Sequence, residues 1–136
     1  MDANPSEENL SKGEGYELMG AAFEVYNELG SGYLEEVYQE AMEIELASRK
    51  IPFLSKPRLQ IQFKGQPLRK YYDADLLVYS TIMVELKAVR ALAPEHEAQL
   101  LNELKAARLR VGYLINFGAS PKLQWHRRVD SSSPIP

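Results

Sequence analysis

The chain has 136 residues, 45% hydrophobic and 26% charged, a net charge of −3 and no cysteine. That length is one domain's worth, with room for a single sizeable core. Without cysteine there is no disulfide framework, thiolate metal site or cysteine nucleophile, and a reducing, cytoplasmic setting fits. No apolar run approaches the roughly 18 residues that a membrane span needs. The polar, acidic start MDANPSEENLSK is the wrong chemistry for a signal peptide, so a soluble protein with no membrane partner is expected. The charge is uneven: residues 1–50 hold 3 Lys/Arg against 12 Asp/Glu, and residues 51–136 hold 13 against 7. The second stretch could offer a surface for a polyanion, or only a solvated basic face.

In chain order, residues 1–12 and 131–136 read as flexible ends around one domain at 13–130. Apolar residues at 16, 19, 22, 23, 26 and 29 predict a helix from Tyr16 to Leu29, ended by Gly30-Ser31-Gly32. A second helix is expected from Tyr33 to Arg49. Pro52 and Pro57 then break helical order. RLQIQFKG alternates as a half-buried strand with Leu59, Ile61 and Phe63 on one side. After a turn at Gly65-Gln66, LRKYYDADLLVY makes a second strand and TIMVELKAV a third. Pro94 opens a helix with Leu100, Leu101, Leu104 and Ala107 on its apolar stripe. VGYLINF reads as a central strand covered on both faces, and KLQWHRRV as the last strand. The expected order is α-α-β-β-β-α-β-β, an α/β domain.

Several polar residues stand where packing alone would prefer apolar ones. At about 100° per residue, the stripe of the second helix runs through Leu34, Val37, Tyr38, Ala41, Met42 and Leu46. Glu35 falls inside it and Glu36, Glu40 and Glu43 opposite; Glu45 also points inward by this count. An inward carboxylate needs a partner or a cation, unless it reaches solvent at the stripe's edge. Asp75 is a poor residue for a strand interior, although it could simply mark strand entry. In IMVELKA, Glu85 and Lys87 share one face of a strand, either as a surface ion pair of 0–1 kcal/mol or as groups held together for chemistry. If a turn near Tyr79–Thr81 joins two antiparallel strands, Asp75 and Glu85 converge. Paired carboxylates repel unless a proton or a divalent cation lies between them, and oxygen ligands suit Mg²⁺ or Mn²⁺. Lys87 could then serve beside a metal-bound water or a scissile phosphate.

This D-x9-E-x-K pattern, after a helix with an inward Glu and before another helix, resembles the PD-(D/E)XK nuclease superfamily. GYLEEVY is similar to the G-x-x-E-x-x-Y label of its small bacterial GxxExxY family, at Gly32, Glu35 and Tyr38. DLLV, VELKA, HEAQLLNELK and GYLINFG resemble that family's later blocks, so the likeness covers about residues 16–128. It implies a restriction-endonuclease-like core with a mixed sheet flanked by helices. It further implies a metal held by Asp75, Glu85 and the Leu86 carbonyl, completed by Glu35, with Lys87 assisting the attacking water and Gln99 reaching the site. His96, three residues before Gln99, shares its side of the helix but reads more simply as a helix-entry histidine. The pattern departs where an aromatic residue is expected after LLN and Glu103 stands, a change expected to touch a partner surface or Lys105 and not the metal. The proline usual before the acidic strand residue is also missing.

The expected activity is therefore Mg²⁺- or Mn²⁺-dependent hydrolysis of nucleic acid, as an endonuclease-like hydrolase, with sequence specificity left to strand-end loops, a homodimer or another protein. Two alternatives remain. One is a catalytically weak nucleic-acid- or protein-binding module on the same fold. The other is a small-molecule enzyme using Lys87 as base or Schiff-base amine, disfavoured because flanking carboxylates favour its charged form. Trp125-His126-Arg127-Arg128 could grip a base and phosphates, or Trp125 could simply pack beneath a strand.

Overall fold

The computed structural model describes residues 11–131. The ends expected to be flexible lie almost wholly outside them. Two helices open the fold, α1 (Lys12–Leu29) and α2 (Glu35–Ser48). Five strands follow: β1 (Phe53–Ser55), β2 (Arg58–Phe63), β3 (Gln66–Asp73), β4 (Leu76–Val78) and β5 (Ile82–Lys87). Then come α3 (Pro94–Ala107), β6 (Val111–Asn116) and β7 (Gln124–Val129). The main sheet runs β1-β4-β5-β6-β7, and β2-β3 forms a separate hairpin. Only the β5–β6 pair in the main sheet is parallel, because α3 carries the chain across between them.

The expected order is thus refined from three strands to five between α2 and α3. Three residues between Pro52 and Pro57 suffice for β1. The single strand expected over 68–79 breaks at Ala74-Asp75, where the chain leaves the hairpin and enters the main sheet. Leu59 is buried, but Ile61 is only half-buried and Phe63 is 61% exposed, because the far end of the hairpin projects away from the body.

Each sheet face has its own apolar core. Leu18, Tyr38, Met42 and Leu46 of α1 and α2 pack with Val84, Leu86 and Ile115 on one. Leu100 and Leu104 of α3 pack with Met83, Leu114 and Leu59 on the other. β6 is buried along its whole length, as its unbroken apolar sequence predicts. Gly112 lets α3 settle on it, since a Cβ there would come within 2.8 Å of Leu100. Among the described residues no helix is long and apolar enough to cross a membrane.

Two local devices aim side chains at one end of the sheet. Tyr38, fully buried, stacks on Phe117 with ring centroids 4.6 Å apart. Its hydroxyl donates to the Gly30 carbonyl at 2.6 Å and accepts from the Tyr33 N–H. Gly30 and Gly32 adopt φ of 70° and 113°, a region open to glycine. The α1–α2 turn is thereby pinned, and α2 starts at Glu35. At the far end of β5, buried Asn116 accepts from the backbone N–H of Val89 and Gly118, both at 3.0 Å. That holds the loop that follows Lys87.

Candidate active site

The β4–β5 register pairs Leu76 with Val84, and one step further along it Asp75 stands opposite Glu85. Glu85 is 2% exposed and Asp75 7%. β4 begins only at Leu76, after Asp75, so its ladder offers no backbone carbonyl at the next position. The Asp75 side chain takes that place: Oδ2 accepts the Leu86 N–H at 2.7 Å. Oδ1 accepts from Lys56 Nζ at 3.1 Å. From α2, Gln39 Nε2 donates to the Asp75 carbonyl at 3.0 Å.

Glu85 and Lys87 share the face of β5 that looks at α3. There Gln99 links them, accepting from Lys87 Nζ at 3.0 Å and donating to Glu85 Oε1 at 3.2 Å. One helical turn on, fully buried Glu103 accepts from Gln99 at 3.4 Å and hydrogen-bonds Glu85. Its Oε1 meets no donor among the described residues. Burial, then the bond to Glu103 and the charge of Asp75, push the Glu85 carboxyl up to about 11. Glu85 therefore carries the proton at neutral pH and Glu103 receives it. Burial also raises Glu103, against the bonds from Glu85 and Gln99.

Glu35 is half-buried at the first turn of α2, where the helix dipole favours a carboxylate. Burial, then the charge of Asp75, raise its carboxyl, while Lys87 and Lys56 pull it down. Burial alone would lower the Lys56 amine, but its bond to Asp75 and the charges of Glu35 and Glu85 hold it above the ordinary lysine value.

Glu35, Asp75, Glu85, Lys87 and Gln99 thus meet at one end of the sheet, and the Leu86 backbone runs between them. Sequence reasoning missed Lys56 and mislocated Glu103, which stands inside the cluster and not on a partner surface. Glu103 lies four residues after Gln99, hence on the same helical face; that spacing was the available signal. Nothing in the sequence around Lys56 announces it. Glu43, placed on the outer face of α2, instead reaches Gln39 and Ser55; Glu45 pairs with Arg49. His96 accepts the Ala93 N–H at 2.9 Å, the helix-entry role. His126 and Arg128 both bind Glu97 of α3 and tie β7 to that helix.

Whether these residues suit a divalent cation turns on their donor chemistry. They offer hard carboxylate oxygens, buried and close enough together to keep a proton on Glu85, and one buried oxygen on Glu103 without a donor among the described residues. Among the described residues no three His, Cys, Asp or Glu side chains are grouped to hold an ion by themselves. Mg²⁺ usually takes one or two carboxylates and fills its sphere with water and substrate phosphate. The set fits an ion bound in that way.

A family model described as the PD-(D/E)XK nuclease superfamily matches residues 12–128. A solved structure described as the crystal structure of SSO0001 is similar in fold, with a TM-score of 0.57 and 16% sequence identity. The match covers 70% of this chain and 49% of that one, so this chain spans about half of that protein's length. No curated protein matches it. The mixed sheet flanked by helices is a restriction-endonuclease-like arrangement.

Proposed function

Because this chain belongs to the PD-(D/E)XK nuclease superfamily, we propose that it hydrolyses phosphodiester bonds of nucleic acid with a divalent cation, Mg²⁺ or Mn²⁺, and is a member of the GxxExxY group. The observation that carries the reading is that buried Asp75, just before β4, stands opposite buried Glu85 of β5, with Lys87 two residues beyond on the Glu85 face. Asp75, Glu85 and the Leu86 carbonyl would hold the ion, with Glu35 completing the set. When bound, the ion supplies a polarised water and neutralises charge on the phosphate.

The protein's own groups do the rest. Lys87, steadied by Gln99, presents an ammonium to a non-bridging phosphate oxygen and the attacking water. Gln99 holds Lys87 and Glu85 in a fixed relation, so that neither must reorganise as negative charge builds. Contacts to the backbone of the substrate fall to the cation-rich stretch after residue 50, largely without regard to sequence.

One observation favours a second reading. The ammonium of Lys56 already balances Asp75, as it would in a nuclease fold kept for binding nucleic acid or protein with little turnover. A cleavage panel separates the two. Single-stranded, duplex and branched substrates are incubated with Mg²⁺, Mn²⁺ or a chelator, using the wild type, Lys87→Ala and Glu85→Gln. Metal-dependent cleavage that falls at least about 100-fold in both variants supports the nuclease. Absence of cleavage from every substrate, or cleavage indifferent to both substitutions, overturns it in favour of the binding module.

A further inference from the structure

The β2–β3 hairpin is rooted in the candidate active site. Lys56 and Asp75 flank its two strands, and they are joined twice: Nζ to Oδ1 at 3.1 Å, and the Lys56 N–H to the Asp75 carbonyl at 2.9 Å. From that root β2 runs past α3 until Lys64 and Gly65, both at positive φ, turn the chain back. At about 3.3 Å per residue, the six residues of β2 make an arm about 20 Å long. Cations gather on it. From Leu46 to Tyr72 the sequence holds seven Lys/Arg and no Asp/Glu. Arg49, Lys56 and Arg58 have carboxylate partners in Glu45, Asp75 and Asp73. Lys64, Arg69 and Lys70, towards the tip, are exposed and form no ion pair with any described residue. Beside the arm, a groove of about 470 Å³ lies between Gln62 and the end of α3, where it meets Asn102, Lys105 and Arg108. No acidic residue lines it, and Lys105 and Arg108 are likewise exposed and without an ion pair among the described residues.

We propose that the hairpin is an arm that enters the major groove of a B-form DNA duplex, with Lys64, Arg69 and Lys70 on flanking phosphates and Lys105 and Arg108 on phosphates nearer the body. A two-stranded ribbon fits the B-form major groove, about 12 Å wide. The deep, narrow major groove of an RNA duplex excludes it. Phe63, exposed beside the turn, offers an apolar contact to a thymine methyl, which that groove displays. Five cations without counter-charge call for a polyanion. An unpaired strand has no groove for a ribbon, and the Tyr71 ring that could stack on a base is already covered by the Arg58 guanidinium, 3.7 Å from its centroid. A second copy of this chain suits the arm poorly. Pro67 removes a donor from β3, the register shifts between Gln60 and Gln62, and Arg69 and Lys70 put like charges on the edge, all of which discourage strand addition. The inference rests on the nuclease reading for its substrate and adds to it which duplex is held and by what.

The test is binding in chelator, read by the fluorescence anisotropy of a labelled DNA duplex of about 16 base pairs, more than twice the reach of the arm. The RNA duplex of the same sequence and the single DNA strand are titrated beside it, and the DNA duplex should bind most tightly. Losing three phosphate contacts in Lys64→Gln/Arg69→Gln/Lys70→Gln should make the log–log salt slope shallower by about 2.7, and Lys64→Gln alone by about 0.9. Lys12→Gln, on α1 across the sheet from the arm, should leave the slope unchanged. The three arm positions are exposed, so thermal melts of the variants should match wild type. The proposal is overturned if the triple variant keeps the wild-type slope, if the RNA duplex or the single strand binds as tightly as the DNA duplex, or if the DNA duplex does not bind. Metal-dependent cleavage that needs Lys87, together with an unchanged slope, removes the arm and leaves the nuclease. Arm-dependent binding without cleavage does the reverse.

Discussion

Raising the pH should weaken the metal-free protein across the neutral range, and Glu85 should be the cause. Its carboxyl is raised to about 11 in the fold, against 4.5 for the ordinary group. A carboxyl raised by folding stabilises fully below its unfolded value, and that contribution is lost as pH climbs towards the folded one. Between about pH 6 and 8 the folded chain holds this proton and the unfolded chain does not. Each such proton costs about 1.4 kcal/mol per pH unit, so the interval removes on the order of 3 kcal/mol. Glu35 and Glu103 are raised as well and act with the same sign. Lys56, shifted upward from 10.5, keeps its proton in both states there and adds no slope.

For a chain of this size the loss lowers Tm by on the order of 10 °C. Thermal melts in chelator at pH 6, 7 and 8 read it directly. Glu85→Gln keeps the shape without a proton to release, so its melts should be flatter and higher at pH 8. Millimolar Mg²⁺ should restore wild-type stability most at the alkaline end, because an ion bound only by the folded state adds stability and takes the proton's place. A wild-type Tm that is level from pH 6 to 8 in chelator, or an equal slope in Glu85→Gln, would refute the reasoning.

Gly15→Ala should lower stability in urea melts by about 1–3 kcal/mol because the new methyl strikes the Tyr113 hydroxyl. Gly13→Ala, which meets nothing within 4 Å, should instead stabilise by up to about 1 kcal/mol through helix propensity. Tyr38→Phe removes the hydroxyl that joins Gly30 to Tyr33 and should cost about 1–2 kcal/mol; titration calorimetry should also show weaker Mn²⁺ binding, since Glu35 loses its anchored turn. Lys56→Ala frees Asp75 Oδ1 from an ammonium 3.1 Å away and should tighten Mn²⁺ by roughly tenfold, about 1.4 kcal/mol. Unchanged calorimetric affinity there would mean that Lys56 and the ion do not compete.

Much of this was legible in the sequence because hydrophobic period carries so much of the fold. The 3.6-residue spacing gave three helices, although α1 begins at Lys12, before Tyr16, since Gly13 and Gly15 dilute its first turn. The period also carried Glu35 inward and set Glu85 beside Lys87, whereas Gln99 was expected at the site only from the family resemblance. Where it failed, tertiary contacts decided. Val37 is 37% exposed and Leu34 72%, so the buried stripe of α2 centres on Tyr38, Gln39, Met42 and Leu46 and lies closer to Glu35 than apolar residues alone indicate. Lys56 was invisible because its partner lies 19 residues away across a hairpin. Glu103 was visible as an oddity, but an acid on a leucine-rich helix reads as surface until another acid is found facing it.

Asp75 looked out of place inside a strand, and it is not in one. The break that moves the chain from hairpin to main sheet leaves the Leu86 N–H without a strand carbonyl, and the carboxylate fills that vacancy. Its presence is thus structural before it is chemical, and the same step sets it opposite Glu85. Charge then becomes the deciding quantity. Four carboxyls, of Glu35, Asp75, Glu85 and Glu103, face the amines of Lys56 and Lys87, a deficit of two positive charges if all are ionised. A proton kept on Glu85 reduces that deficit; one divalent ion would cancel it entirely. A cluster built only for stability would gain by replacing Glu103 with an apolar side chain, because Glu85 alone needs no second acid. That the fold carries both, buried and sharing a proton, is the physical ground for expecting a cation at this place.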